Sequence, residues 1–401
     1  MDGSLGERPL SPRVLDLLDL AGAIYRLESQ VPRRPTNPVT EWQVYCPVRD
    51  VVFWSRTGAP LLASVLRFLN RAQWTFSFGP RRKPGALSIT SIPGSVREIV
   101  LFSGGMDSAC GAGVHRTPHN QVKLVSFYSN QHKLQQSLAK ELEYDRPVQW
   151  RLAGRRGKEG MNLIRAFMFL TLGAIVAETF GVSTIFQYEN GVLAMAIPPS
   201  GSQVPTRHAH PEFHRRMEAL LEAVFERRIE IRNPFFALTK REEALKLSEV
   251  IGESRAEAVL RQTQTCWQLS QAHVGGQKKR PFVPCGVCTP CIVRRTARPY
   301  EAEKGAWKNW RGYAFDPKRP AVMKSNIGTS FRAYLELIGI ALQATNDDEM
   351  IENLAPEART LIGGPTGPTE AEASSLLRRF AHEFCDAFEI HAPKPVQRVP
   401  K

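Results

Sequence analysis

The chain has no run of 18 apolar residues, so a membrane-spanning helix is not expected. Its first residues, MDGSLGERPLSPR, lack a basic start followed by an apolar core, so no secretory signal is expected either. Cysteine is scarce. Seven in 401 residues, three of them within one short stretch, are too few and too clustered for a disulfide scaffold. The G-x-x-x-x-G-K-[ST] phosphate loop is missing, and there are no internal repeats. Basic clusters are not interleaved with aromatics in the manner that stacks single-stranded bases. What remains is a globular chain, 42% hydrophobic and 23% charged, expected in a reducing cytoplasm and long enough for two or three structural units.

Acidic residues are outnumbered: the net charge is +14. Such a surface attracts anions, whether nucleotides, nucleic acid or acidic proteins. The basic residues are spread along the chain, which equally fits a solvated surface with no specific partner. Their densest clusters are Arg81-Arg82-Lys83, Arg155-Arg156-Gly157-Lys158 and Lys278-Lys279-Arg280.

Three parts are expected. Residues 1–95 read as a small α/β accessory domain. It has a loose end over 1–13, a helix over 14–30, a proline-broken stretch over 31–38, and two short strands within 41–55. A helix over 60–71 and a strand over 73–78 follow, then a proline-, glycine- and serine-rich linker over 80–95. Residues 96–296 alternate strands (99–102, 122–127, 148–152, 182–188, 229–231) with helices, the longest over 161–180. That alternation predicts an α/β fold with a parallel five-stranded sheet, whose ligands sit beyond the carboxyl ends of the strands. A helical stretch covers 239–263, and the clustered cysteines fall in 264–296. Residues 297–401 form a helical extension, with helices at 330–343 and 369–388 separated at LIGGPTGP.

Ser103-Gly104-Gly105-Met106-Asp107-Ser108 follows the first of these strands and opens a helix. Adjacent glycines let the backbone approach an anion with no Cβ in the way. A helix start offers amide donors and the positive end of a dipole, and the two serines add hydroxyls. Asp107 is out of place beside a phosphate unless it helps hold Mg²⁺ or takes part in capping. The plainer reading is a glycine turn capped by Asp or Ser; the strand–loop–helix context favours the phosphate reading.

Cys285, Cys288 and Cys291 lie on one tight loop, and Cys266 stands 19 positions before the first of them. Four thiolates suit a tetrahedral, structural Zn²⁺, with Gly286 and Pro290 at the sharp turns of such a knuckle. An iron–sulfur cluster and free buried cysteines are the alternatives. Cys46, Cys110 and Cys385 stand alone as packing residues.

The SGGxDS loop resembles that of the ATP pyrophosphatases (PP-loop enzymes). Together with Thr265-Cys266-Trp267 and Cys285-Gly286-Val287-Cys288-Thr289-Pro290-Cys291-Ile292-Val293-Arg294, it resembles the 7-cyano-7-deazaguanine synthase (QueC-like) family. Further resemblance lies in Ser126-Phe127-Tyr128 with Gln131-His132, in Arg165 with Phe169-Leu170, Ala177-Glu178 and Gly181, and in Pro234 with Lys240. The resemblance implies a PP-loop sheet, ATP with Mg²⁺ as co-substrate, and adenylation of the carboxylate of 7-carboxy-7-deazaguanine followed by amide formation. Carried over position by position, it implies nucleotide binding by Ser103 to Ser108, Ser126, Phe127 and Lys240, and catalysis by Ser103, Asp107, Ser108 and Arg165.

This sequence departs from that pattern at Ala166, at Gln187 and over Arg207-His208-Ala209-His210, and it carries both extensions. The remodelling resembles QueC-like proteins of bacterial anti-phage systems (Qat and type IV CBASS), which implies a protein amine as acceptor, from the same defence operon. An ordinary nitrile synthase using ammonia is the second reading, and a non-catalytic nucleotide-binding scaffold the third. A tRNA-modifying relative, suggested by the charge, is the least favoured. On the substrate side, Gln187, Glu189, Asn190, Arg207 and His210 are the candidates. For Glu189 and Asn190 a plain turn is the alternative, since Asn-Gly is a turn signal. For Arg207 and His210 it is a polar surface loop; for Arg165 and Lys240, a solvated position.

Overall fold

The computed structural model describes residues 7–30, 41–81, 88–90, 96–127, 131–150, 163–197, 206–266, 284–297, 313, 316–325, 328–363 and 367–391. The expectations at 31–38, 155–158, 161–162 and 278–280, and those on Tyr128 and Trp267, fall outside these residues. The chain divides into two compact units: Met1–Ser103, His115–Tyr188 and Thr206–Pro234 form the first, Gly104–Val114, Glu189–Pro205 and Phe235–Lys401 the second.

Among the described residues the first unit holds every strand: β1 (Glu7–Pro9), β2 (Glu41–Val48), β3 (Gln73–Pro80), β4 (Ser88–Thr90), β5 (Glu98–Leu101), β6 (Val122–Phe127), β7 (Val148–Trp150), β8 (Thr184–Phe186) and β9 (Glu230–Arg232). The last five form a sheet in the order β7-β6-β5-β8-β9, with all pairs parallel. The predicted five-stranded parallel sheet is therefore present. Its strand order reverses direction between β5 and β8, the point where doubly wound sheets place ligands.

β5 is central, and Ile99, Val100 and Leu101 are buried, as expected of a strand covered on both faces. The helix Arg165–Phe180 lies on it through Gly173, where an added Cβ would meet Leu101 Cδ2 at 2.8 Å. That helix ends at Gly181, whose φ of +68° suits glycine.

β2 and β3 pair in parallel, joined through helical turns and the helix Ala59–Asn70. Trp74, Phe76 and Phe78 line one face of β3 in a stacked row, with Trp42 of β2 against Trp74 at 5.1 Å. The second strand expected within 41–55 is instead helical from Val51 to Gly58. Asp50 causes this: its carboxylate accepts from the Phe53 amide and caps the turn. The buried Asp16 accepts from the amides of both Arg49 and Asp50, so the chain turns where its composition suggests continued extension. The ends expected to be loose also differ. β1 pairs antiparallel with β4, whose residues lie inside the stretch read as a linker.

The second unit is helical. The region 239–263 forms two helices, Lys240–Ile251 and Glu253–Gln262, broken at Gly252, where φ is +83°. The helices Thr329–Gln343 and Glu370–Phe388, close to the predicted spans, pack with two shorter ones, Asp347–Asn353 and Pro356–Leu361. Their core is aromatic: Phe331, Tyr334, Phe380, Phe384 and Phe388 are all buried. Val192 and Met195, just after Asn190, and Ile292 and Val293, just after the last clustered cysteine, sit in this same core. The C-terminal extension thus anchors two of the segments predicted to carry function. Among the described residues no helix is long and apolar enough to cross a membrane.

Candidate functional site

β5 runs directly into Ser103, and the chain then turns through Gly104 at φ +84°. A left-handed residue here would cost an L side chain about 1–2 kcal/mol, which is the structural reason for glycine. Gly105 is extended and caps the helix Met106–Gly113, whose first intrahelical bond runs from Ala109 N to Gly105 O at 3.1 Å. The first-turn amides of Met106 and Asp107 therefore have no acceptor within the helix. Ser108 Oγ donates to Gly105 O at 3.1 Å, and Gly104 O accepts from Gln264 N at 3.1 Å. Gln264 lies two residues before Cys266, so the loop is fastened to the segment that carries the first cysteine.

Asp107 explains its own presence. It is buried, and its Oδ1 accepts from Asn190 N at 3.1 Å and Asn190 Nδ2 at 3.0 Å and forms an ion pair with Lys240 Nζ. Burial pushes its pKa up, but the Lys240 ammonium and the Asn190 bonds outweigh that and hold it below the usual carboxylate range. Burial works against charge on Lys240 as well, and the carboxylate of Asp107, its ion-pair partner, outweighs it, so the ammonium persists. Glu243, one turn along the same helix, is fully buried with Oε2 3.7 Å from Nζ. Burial, and the negative charge of Asp107 beside it, raise its pKa well above the ordinary value, so Glu243 is held neutral. The trio is close to electroneutral, and the acidic residue of the loop does not repel an anion.

Lys240 is not at a solvated position: its side chain is 1% exposed. Thr239 caps the helix with Glu242 in a reciprocal pair of bonds, which aims Lys240 inward from the first turn. Asn190 is buried and spent on structure. Its Oδ1 caps the short helix Gly191–Ala194 through Leu193 N, and its amide also donates to Glu189 Oε1 at 3.0 Å. Gly191 is required because an added Cβ would lie 2.0 Å from Phe236 O.

In the first unit, Ser103 O accepts from Gln135 Nε2 at 3.0 Å, and the buried Ser126 Oγ donates to Phe102 O at 2.5 Å. Phe127 is buried between Tyr25 and Phe169, and Arg165, exposed at its helix start, holds its guanidinium 5.9 Å from the Phe127 ring. Gln187 is buried and donates to His208 O at 2.8 Å while its Oε1 meets His214 Nε2 at 3.2 Å. His210 is buried and caps Pro211–Phe225 through Glu212 N. Arg207 donates to Phe68 O at 3.0 Å and lies over the Phe68 ring. The structure therefore brings Asp107, Asn190 and Lys240 together, and separately groups Gln187, Arg207 and His210 in a network of capping and strand-end contacts.

Sequence reasoning missed Glu243 and Gln264. Glu243 was discoverable, since Lys-Arg-Glu-Glu places a carboxyl one turn from Lys240. Gln264 reaches the loop through its backbone amide, which leaves no residue-type signal. His214 was also missed. Burial, with His210 and His208 close by, lowers its pKa to about 3, so it is a neutral core histidine.

The four cysteines gather in the second unit, all buried, with their sulfurs within 4.8 Å of one another. Cys285 N and Cys288 N point at Cys266 Sγ and Cys285 Sγ, each at 3.3 Å, and Gly286 turns at φ +82°. Ligands at the Zn–S length span about 3.8 Å across a tetrahedron, close to the 3.9 Å between Cys285 Sγ and Cys291 Sγ. This set fits one tetrahedral ion such as zinc, whereas a cluster of several irons needs its thiolates further apart. Arg294, buried, closes the knuckle by donating to Thr263 O at 2.8 Å and Leu260 O at 2.7 Å.

No curated protein matches the chain. Residues 162–301 match the family model described as queuosine biosynthesis protein QueC, a span that contains Gln187, Glu189, Asn190, Arg207, His210, Lys240 and all four clustered cysteines, and that supports the QueC-like resemblance of this part of the chain.

Proposed function

We propose that the chain is an ATP-dependent ligase that adenylates the carboxylate of 7-carboxy-7-deazaguanine and passes the acyl group to an amine. The observation that carries this reading is the loop after β5. It is a glycine turn opening a helix, and Lys240 cancels the charge of its only acidic residue. Such a loop can cradle phosphates through backbone amides and the helix dipole. The substrate carboxylate oxygen attacks the α-phosphorus and pyrophosphate leaves. The amine nitrogen then attacks the acyl carbon and AMP leaves. Positioning and charge stabilisation suffice, with no protein nucleophile, and Mg²⁺ would offset phosphate charge. The match over residues 162–301 supports the deazaguanine class of substrate.

The roles given to Ser103, Asp107, Ser108 and Arg165 in catalysis belong to this proposal. So do those of Gly104, Gly105, Met106, Ser126, Phe127 and Lys240 in nucleotide binding, and of Gln187, Glu189, Asn190, Arg207 and His210 on the substrate side. A structural Zn²⁺ on Cys266, Cys285, Cys288 and Cys291 belongs to it as well. We take residues 1–95 and 297–401 as accessory parts around a 96–296 core, and a protein amine from a defence operon as the acceptor those parts serve.

The test is AMP release from labelled ATP with the acid present, and ammonia or a candidate partner supplied in parallel. Acid-dependent AMP with a mass increment on the partner supports conjugation. Acid-dependent AMP with free nitrile keeps the activation and replaces the acceptor. No AMP with the acid and either amine overturns the reading in favour of a nucleotide-binding scaffold.

A further inference from the structure

Four arginines meet in one pocket of the first unit. Arg67 and Arg71 come from the end of the helix Ala59–Asn70, Arg207 from the segment before the helix Pro211–Phe225, and Arg216 from inside that helix. With Ser64, Phe68 and their neighbours they line a cavity of about 700 Å³, and among the described residues no carboxylate lines it. That volume is typical of small-molecule sites.

Two of the guanidiniums are pre-positioned. Arg207 lies 4.9 Å over the Phe68 ring and donates to Phe68 O at 3.0 Å. Arg216 lies 5.1 Å from the same ring and donates to Ser64 O and Oγ, both at 3.1 Å. Glu212 pairs with Arg216 at 2.6 Å and with Arg215 at 2.7 Å. Arg67 and Arg71 are exposed at the rim. Arg71 sits at φ +62°, where its amide closes the helix on Arg67 O at 2.8 Å. Trp74, also in the lining, has its ring stacked on Trp42 and Phe76, so it forms a wall and not a platform for a base.

Like charges gathered in a cavity repel one another, and a bound polyanion relieves that cost. Guanidiniums match phosphate oxygens in bidentate geometry, and a phosphate chain carries several charges where a carboxylate carries one. We propose that this pocket binds a phosphate-bearing small molecule, held by Arg67, Arg71, Arg207 and Arg216 through its phosphates and not through a base.

The test is amide hydrogen exchange on the full chain, titrated with inorganic tripolyphosphate and, in parallel, ATP. The peptide covering residues 60–74 localises the site, so phosphate binding elsewhere on the chain does not interfere. Both ligands are expected to protect that peptide with similar midpoints. Arg67→Glu, on an exposed helix position, should raise the midpoint about tenfold or more. Lys246→Glu, which changes net charge equally from another exposed position, should leave it unchanged. Absence of protection in the wild type, equal midpoints for Arg67→Glu and wild type, or an equal effect of Lys246→Glu would overturn the site. Protection by a glutamate-rich peptide in place of tripolyphosphate would overturn the ligand class.

Discussion

Replacing Lys240 with methionine keeps the side-chain bulk and removes the charge, which leaves Asp107 buried without its counter-ion. Asp107 is 9% exposed and Lys240 1%. Water therefore cannot take over the role of the ammonium, and the Asn190 donors and the neutral Glu243 carboxyl beside the carboxylate have no counter-charge to offer. Removing one partner of a buried pair costs about 3–5 kcal/mol, whereas removing both charges together is often nearly neutral. Lys240→Met should therefore lose about 3–5 kcal/mol in urea denaturation at pH 7.5, with a fall in Tm on the order of 10 °C. The Asp107→Asn/Lys240→Met double variant should recover most of that loss.

The sign of the pH dependence separates electrostatics from packing. The folded pKa of Asp107 is depressed in the wild type, so its contribution to stability is present at neutral pH and is lost as pH falls through the folded value. In Lys240→Met the orphaned carboxylate prefers its neutral form, so the deficit should shrink as pH is lowered from 7 toward 4. A loss below about 1 kcal/mol, a deficit independent of pH, or a double variant no better than the single one would refute the assignment of Lys240 as the charge that makes the loop tolerable.

Glu243→Gln should stabilise at pH 8 and have no effect at pH 4, because a carboxyl whose folded pKa is raised costs stability once the unfolded state ionises; thermal melts at the two pH values check it. His214→Gln should lessen acid sensitivity, since a histidine whose folded pKa is lowered to about 3 loses stability as pH falls below 6.5; the readout is stability between pH 6.5 and 4. The purified protein should carry one tetrahedral ion per chain by elemental analysis, and Cys288→Ser should lower both metal content and Tm. Gly104→Ala should cost about 1–2 kcal/mol from the left-handed backbone alone and should depress ATP turnover more than Tm.

What the sequence determined by itself is what local chemistry encodes. Alternating apolar runs and helical periodicity marked the five parallel strands and most of the helices. Adjacent glycines after β5 marked the loop, because only glycine suits φ +84° there. Cysteines three apart on a turning segment marked the cysteine cluster, since spacing alone sets the reach of those three. Where local reading failed, at Val51–Gly58, a carboxylate from another helix overrode composition: Asp16 took the amides of Arg49 and Asp50.

Tertiary structure alone decided the partners. Nothing in the neighbourhood of Asp107 announces that Lys240 neutralises it or that Asn190 faces inward on to it, and nothing around Gln187 announces that it meets His208 and His214. Likewise, Arg67 and Arg71 meet Arg207 and Arg216 only because the helix Ala59–Asn70 packs on Pro211–Phe225. Each of these pairings is non-local, and the energy that selects it arises only when burial removes water from both partners. A sequence pattern records which residues prefer to be buried or turned; the closing of the fold decides against what.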